Sequence, residues 1–322
     1  MPTSALPRGK TVDVLFKDES TFGTAPSGNW TPTSIYSHSL EQKEPFENDA
    51  LLGLPRTNNR DTTAPAPGLA EVSGNIVAPI DYNHIGWLLK GAFGAASVSG
   101  AGDPYTHTFV SGGEVLPHRS VEVKLGASIF MLYNGLLISK LSFDIGRKAN
   151  YDRVTAEVMG QKESKLTSTG GGTPAAAWAS AQAPAVLPLF KLAGTQLGYV
   201  TGLKATYDNK VTPQNYLNGT KYISGHELDG EATFEGTIDV RFSDATLYDM
   251  AVANAAAFTG EILWTTSASR SLSILANAMR FERTGVSVPG PGGISQSFNF
   301  RCEQSVSAAM LTVVLKSLVS AY

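Results

Sequence analysis

The sequence predicts a mainly β protein made of two tandem β-sandwich or half-barrel units, each carrying one short α-helix. Three observations lead there. The 322 residues include 32 Gly and 17 Pro among abundant Thr, Ser and Val, a composition that cuts the chain into short strands separated by turns. Apolar residues alternate with polar ones over many of those segments, the trace of a sheet buried on one face. A long alternating segment followed directly by a helical one occurs twice, at a single offset of 162 residues, close to half the chain.

In chain order, alternation begins at Val12, Val14 and Phe16 and returns at Val72, Gly74, Ile76, Ala78 and Ile80. A helix follows, with Asn83 as its expected cap, Ile85, Leu88, Leu89 and Phe93 on one face, and Gly94 as its stop. Tyr105 to Phe109, Val121 to Leu125, Leu137 to Ile145 and Val154 to Val158 read as further strands. Ser164 to Ala185, with its Gly170-Gly171-Gly172 run and an Ala-rich stretch, reads as a linker or large surface loop in which Trp178 provides a docking point.

The second half has the clearest strand, Ala232 to Phe242, then a helix capped by Ser243 or Asp244, carrying Leu247, Met250, Ala251 and Asn254 and stopped near Gly260. Phe298, Phe300 and Cys302, then Leu311, Val313 and Leu315, complete it. Gly74 with its helix superposes on Gly236 with its helix, and Asn134 to Val158 superposes on Asn277 to Cys302 at an offset of about 143. Residues 1–163 and 186–322 are therefore expected to be two copies of one domain, with 164–185 between them. Two long polar connections, Glu41 to Pro67 and Asn209 to Glu227, precede the long strand in each copy, and loops of that length are commonly functional.

Several function classes are excluded. A formal charge of −3 and a pI near 6.0 do not suit a protein that grips nucleic acid through clustered cations. Met1 to Lys10 has no apolar core of a signal peptide, and no run has the roughly 18 apolar residues of a membrane span. One cysteine, Cys302, forms no internal disulfide, alternates with two phenylalanines and reads as a buried apolar filler.

Chemistry finds no home either. His38, His84, His107, His118 and His226 lack metal-ligand spacing, and no nucleophile elbow or phosphate loop is present. Pro289 to Gly293 is a turn, since its prolines remove the N–H donors a phosphate cradle needs. Glu41, Glu44, Glu47 and Asp49 read as a solvated face rather than an acid/base pair. No catalytic residue, cofactor or metal is expected, and the protein is not expected to be an enzyme.

As an ordered set, several short motifs resemble the major tail (tail tube) proteins of long-tailed bacteriophages. They are Glu19-Ser20-Thr21-Phe22-Gly23-Thr24-Ala25-Pro26, Gly74-Asn75-Ile76 with its helix ending Leu88 to Ala95, Tyr105 to Phe109 with Leu116-Pro117, Gly236-Thr237-Ile238-Asp239, and Pro289 to Ile294. The resemblance implies two tail-tube-like domains in a virion protein made in the host cytoplasm. Rings of it would stack into a hollow tube, alongside tail initiator or tip, terminator and tape-measure proteins, with DNA passing through unbound and no membrane contact. Two such domains per chain imply a trimeric ring with pseudo-sixfold symmetry; the alternative is a hexamer.

Candidate lumen-lining residues are then Glu71, Asn75, Asp144, Glu157, Glu235, Asp239 and Glu303, diluted by Lys140, Arg153, Arg241 and Arg301 on the same strands. Candidate ring-stacking residues are Glu44, Phe46, Asn48, Leu52, Arg56, Asn215, Tyr216 and Tyr222. The competing reading is a carbohydrate-binding or adhesin-like β-sandwich, which requires exposed aromatics; Trp30, Trp87, Trp178 and Trp264 are scattered, while Tyr207, Tyr216 and Tyr222 lie closer together.

Overall fold

The computed structural model describes residues 8–48, 62, 64–243, 245–253, 257–286, 288 and 290–322. The first half contributes β1 (Asp13–Asp18), β2 (Thr31–Thr33), β3 (Ser37–His38), β4 (Glu41–Lys43), β5 (Phe46–Glu47), β6 (Ala66–Pro67), β7 (Glu71–Pro79), α1 (Gly86–Phe93), β8 (Ser97–Ser99), β9 (Tyr105–Val110), β10 (Arg119–Lys124), β11 (Phe130–Gly146), β12 (Arg153–Gly160) and β13 (Lys162–Leu166). The second half contributes β14 (Leu189–Leu192), β15 (Thr195–Gln196), β16 (Val200–Asp208), β17 (Val211–Gln214), β18 (Gly225–Leu228), β19 (Thr233–Arg241), α2 (Thr246–Ala253), β20 (Phe258–Ser267), β21 (Arg270–Phe281), β22 (Ser295–Cys302) and β23 (Leu311–Ser317). The mainly β class with two short helices is as the sequence predicts.

One long antiparallel sheet runs from β3 and β4 through β7, β12, β11, β16 and β19 to β22. Two other strand sets complete the core: β2, β1, β10, β11 and β13 in the first half, and β15, β14, β20, β21 and β23 of the second half extended by β9 and β8 of the first. β11 and β21 each belong to two sets, because one end of each pairs with outer strands and the other with the long sheet. The strand order of the halves matches: β1 with β14, β4 with β16, β7 with β19, β10 with β20, β11 with β21, β12 with β22 and β13 with β23. Registers match as well. Gly74 pairs with Val158 and Gly236 pairs with Phe300, residues 162 and 142 apart in sequence.

The halves are joined along their sheets. β11 pairs with β16 over Lys140–Gly146 and Gly202–Asp208, and β9 of the first half pairs with β23 of the second. A single apolar cluster runs through both, from Val72, Leu89 and Phe143 to Phe234, Trp264 and Leu315. Trp264 donates its indole N–H to Asp152 at 2.8 Å, tying β20 to the residue before β12.

α1 starts differently from the expectation. Its N-cap is Ile85 and no side chain caps it; the Asp81 carboxylate instead holds the turn before the helix, accepting the N–H groups of Asn83 at 2.9 Å and His84 at 3.2 Å. The Asn83 side chain is committed elsewhere, donating to Ala179 O and accepting from the Leu318 N–H. Gly94 ends the helix as predicted, at φ +86°. α2 begins at Thr246 and strand β20 already runs through Gly260, so that glycine is not its stop. Asp244 and Asn254 lie outside the described residues.

Nor is 164–185 a loose linker. Its first residues extend β13 along β11, and buried Glu122 then accepts the Thr169 hydroxyl and the Gly170 N–H, both at 2.6 Å. Asp81 takes the Ser180 hydroxyl and the Ala181 N–H at 2.7 Å, and Trp178 packs edge-on against Tyr322. The segment is stitched to the body by carboxylates that a hydropathy pattern does not single out.

The motif at Glu19 is structural. Its carboxylate collects the Ser120 hydroxyl at 2.6 Å, the Gly23 N–H at 2.7 Å and the Gly135 N–H at 2.8 Å. Beside it, Arg119 is 2% exposed and is neutralised by Asp18 at 2.6 Å, with Lys90 of α1 on the same carboxylate at 2.7 Å.

Candidate functional site

Alternation in the long sheet gives it two unlike faces. Val72, Ile76, Leu141, Phe143, Val154, Val158, Leu203, Tyr207, Phe234, Ile238, Phe298 and Phe300 point into the core. The other face is open and carries six of the seven lumen candidates, Glu71, Asn75, Asp144, Glu157, Glu235 and Asp239; Glu303 follows directly on the end of β22.

On that face carboxylates sit opposite cations, strand after strand. Lys140 on β11 lies between Glu157 on β12 and Asp208 on β16, Asp144 lies opposite Lys204, and Glu235 opposite Arg301. Direct ion pairs follow: Lys140–Glu157 at 3.5 Å, Lys148–Asp144 at 3.4 Å, Arg301–Glu235 at 4.0 Å and Arg280–Glu303 at 2.8 Å. Asp239 accepts from the Ser297 hydroxyl, and Ser142 and Thr206 bond to each other between the charged rows. Exposed pairs like these add little stability. Their effect is to leave a hydroxyl-rich surface with no cationic stripe that could hold a polyanion.

Asp208 and Lys204 belong to this face but not to the predicted set, because the strand Val200–Asp208 was not anticipated. Its signal was legible in Leu203, Ala205 and Tyr207 alternating with Lys204, Thr206 and Asp208.

Each long polar connection is a hairpin at its base, β5 with β6 and β17 with β18. Glu44, Phe46 and Asn48 lie at the first base; Leu52 and Arg56 fall outside the described residues. Phe46 is exposed, and at the second tip Tyr216 is 64% exposed and Leu217 fully so, with Asn215 beside them. Tyr222 and Glu44 are engaged within the chain instead. Tyr222 bridges to Ala70 and lies under Lys162 and Lys221, while Lys221 pairs with Glu44 at 2.6 Å.

The second hairpin also docks through a ring cluster in which His226 stacks on His118 at 5.4 Å and Phe22 closes edge-on over both. Burial and then the neighbouring His118 hold the His226 pKa down to about 3 from its ordinary 6.5. The folded protein therefore refuses a proton that the unfolded chain accepts near pH 6.5. This stability is complete above pH 6.5 and is lost as pH falls toward the folded value, about 2 kcal/mol by pH 5. The thermal midpoint should drop between pH 7 and pH 5, and His226→Phe should flatten that drop; an equal drop in both proteins would contradict the assignment.

Other chemistry is not assembled. Among the described residues no three His, Cys, Asp or Glu side chains converge as a metal site, and no helix is long and apolar enough to cross a membrane. Trp30, Trp87 and Trp264 are buried, and Tyr207 is buried while Tyr216 is exposed, so these rings form no shared binding platform.

What remains is a two-faced sheet, exposed hairpins and two halves of matching strand order. A model of the family described as phage tail tube protein matches residues 9–302. The chain belongs to the phage tail tube protein family. No curated protein matches it. As a tail tube protein it is a structural component of the phage tail and acts by self-assembly into a tube within the virion.

Proposed function

We propose that three copies of this tail tube protein close into a ring with pseudo-sixfold symmetry, and that the rings stack into the conduit through which DNA leaves the phage. The observation that supports this reading is the doubled strand set: residues 1–163 and 186–322 each supply one tube unit, with 164–185 fastening them, so three chains supply six units. A six-chain ring is the rival, and it would leave half of the matched strands without a role in the wall.

In this reading the open face lines the lumen. Glu71, Asn75, Asp144, Glu157, Glu235, Asp239 and Glu303 keep its potential from turning positive, with Lys140, Lys204 and Arg301 balancing them, so phosphates meet neither a trap nor a deep barrier. Tubes carrying Glu157→Lys, Glu235→Lys and Asp239→Lys together should retain DNA in a salt-dependent manner; DNA passing them as freely as wild-type tubes would contradict the lumen assignment.

The hairpins make the ring-to-ring contact, the second through Asn215, Tyr216 and Leu217 and the first through Phe46 and Asn48. Replacing Tyr216 and Leu217 with serine should leave folded rings that no longer stack, seen as discs by electron microscopy. Long tubes from that variant would contradict the role. Initiator, terminator and tape-measure proteins are the partners such a tube requires at its ends and along its axis.

A further inference from the structure

The internal repeat identifies the seam between subunits. Within the chain, β16 sits between β19 on one side and β11 on the other, with Asp208 opposite Lys140, Tyr207 opposite Leu141 and Thr206 opposite Ser142. β4 is the first-half equivalent of β16: it pairs with β7 as β16 pairs with β19, Lys43 opposite Glu71 and Gln42 opposite Val72. Among the described residues β4 pairs with no strand on its other side. The equivalent of the β11 edge is the continuation of β21. There the Glu282 N–H bonds Asn299 of β22 and the Thr284 hydroxyl bonds Ser297 O, so Glu282–Thr284 runs on along β22. The pairing of β20 with β21 ends at Phe258 and Met279, leaving the far side of 282–284 without a paired strand among the described residues.

We infer that Glu282–Thr284 receives β4 of a second copy of this chain as an antiparallel strand, with Lys43 opposite Glu282, Gln42 opposite Arg283 and Glu41 opposite Thr284. The register follows by carrying the β11–β16 pairing over at the repeat offsets. It also completes the charge pattern. Lys43 would lie between Glu71 of its own chain and Glu282 of the next, as Lys140 lies between Glu157 and Asp208.

The Gln42 N–H points to the free side of β4; in the single chain the Glu163 carboxylate covers it at 3.1 Å, a side-chain cover that must give way when the incoming strand pairs. The second hairpin docks on the first half at Ala70, through the Lys221 carbonyl at 2.9 Å, and at Gln161, which donates to Ile223 O at 3.1 Å. The repeat equivalents of those contacts, Ala232 and Glu303, line an open groove of about 1210 Å³ beside the proposed seam, positioned to take the first hairpin of the incoming copy.

This inference rests on the ring reading, and one experiment separates the two. Lys43→Cys and Glu282→Cys are combined in one chain and assembled tubes are oxidised. Directly opposed residues on paired strands fall within disulfide reach. Native Cys302 is buried with its thiol pushed up to about 12 by burial and Glu303, so it contributes no background. The expected result is conversion of most single chains to covalently linked multimers on non-reducing denaturing gels, absent from either single variant. In addition, Glu282→Lys should block assembly and Lys43→Glu with Glu282→Lys should restore it.

Tubes that form from the double-cysteine chain yet run as single chains would overturn the seam and leave the ring reading standing. If wild-type protein forms no rings at all, both fall.

Discussion

Gly236→Ala is expected to destabilise the protein by about 1–3 kcal/mol or more, although it adds one methyl group. A Cβ at this position would lie 1.9 Å from the Lys204 carbonyl oxygen and 2.8 Å from its carbonyl carbon, both backbone atoms of β16 that cannot rotate away. β16 is held between β19 and β11, so moving it disturbs the strand that joins the halves. Its repeat partner Gly74 has the same neighbour relation, with a Cβ 2.3 Å from the Ser39 carbonyl oxygen and φ +151° besides. Gly198→Ala is the control, since nothing lies within 4 Å of a Cβ there. Urea unfolding should show a lowered midpoint for Gly236→Ala and Gly74→Ala and none for Gly198→Ala. A Gly236→Ala protein within about 0.5 kcal/mol of wild type would refute the close approach of the two strands.

Asp18→Ala carries the second large effect. Arg119 is buried, and its partners are the Asp18 carboxylate, the Trp87 carbonyl and the face of the Trp87 ring. Removing the carboxylate leaves a buried guanidinium without a counter-charge, an uncompensated loss of about 3–5 kcal/mol. It also frees Lys90 from the end of β1. Burial pushes the Asp18 carboxyl up, but Arg119 and Lys90 together outweigh burial and hold it below its ordinary 3.8. The contribution of a depressed carboxyl is present above the unfolded value and is lost as pH falls through the folded one. The gap between wild type and Asp18→Ala should therefore be widest near neutrality and shrink below about pH 3.8. A gap that stays constant through that range would show that the carboxylate charge is not what matters.

The periodic part of this architecture was legible in the sequence. Val72 to Ile80, Leu137 to Ile145 and Ala232 to Phe242 alternate because one face of the long sheet is buried, and period-2 patterning records burial directly. Gly74 and Gly236, the two anchors of the expected repeat, both stand where a neighbouring backbone excludes any side chain. That Asn83 does not cap α1 was not visible, because asparagine is a good cap by type and only the bonds of its amide to Ala179 and Leu318 show that it is engaged elsewhere.

The docking of 164–185 was hidden because it depends on Glu122 and Asp81, polar residues whose partners are distant in sequence. β16 was not anticipated, although Leu203, Ala205 and Tyr207 alternate with Lys204, Thr206 and Asp208 directly before the polar connection. Among the site residues, six of the seven lumen candidates share a face because strand parity alone puts them there. The ion partners opposite them depend on strand order, which a single sequence does not contain.

The most direct test of the account is the mass and symmetry of the assembled ring, measured together by electron microscopy of end-on particles and light scattering of isolated rings. Six similar densities around the lumen in a particle containing three chains is the predicted result. Six chains per ring, or a protein that remains monomeric at every concentration, would contradict it.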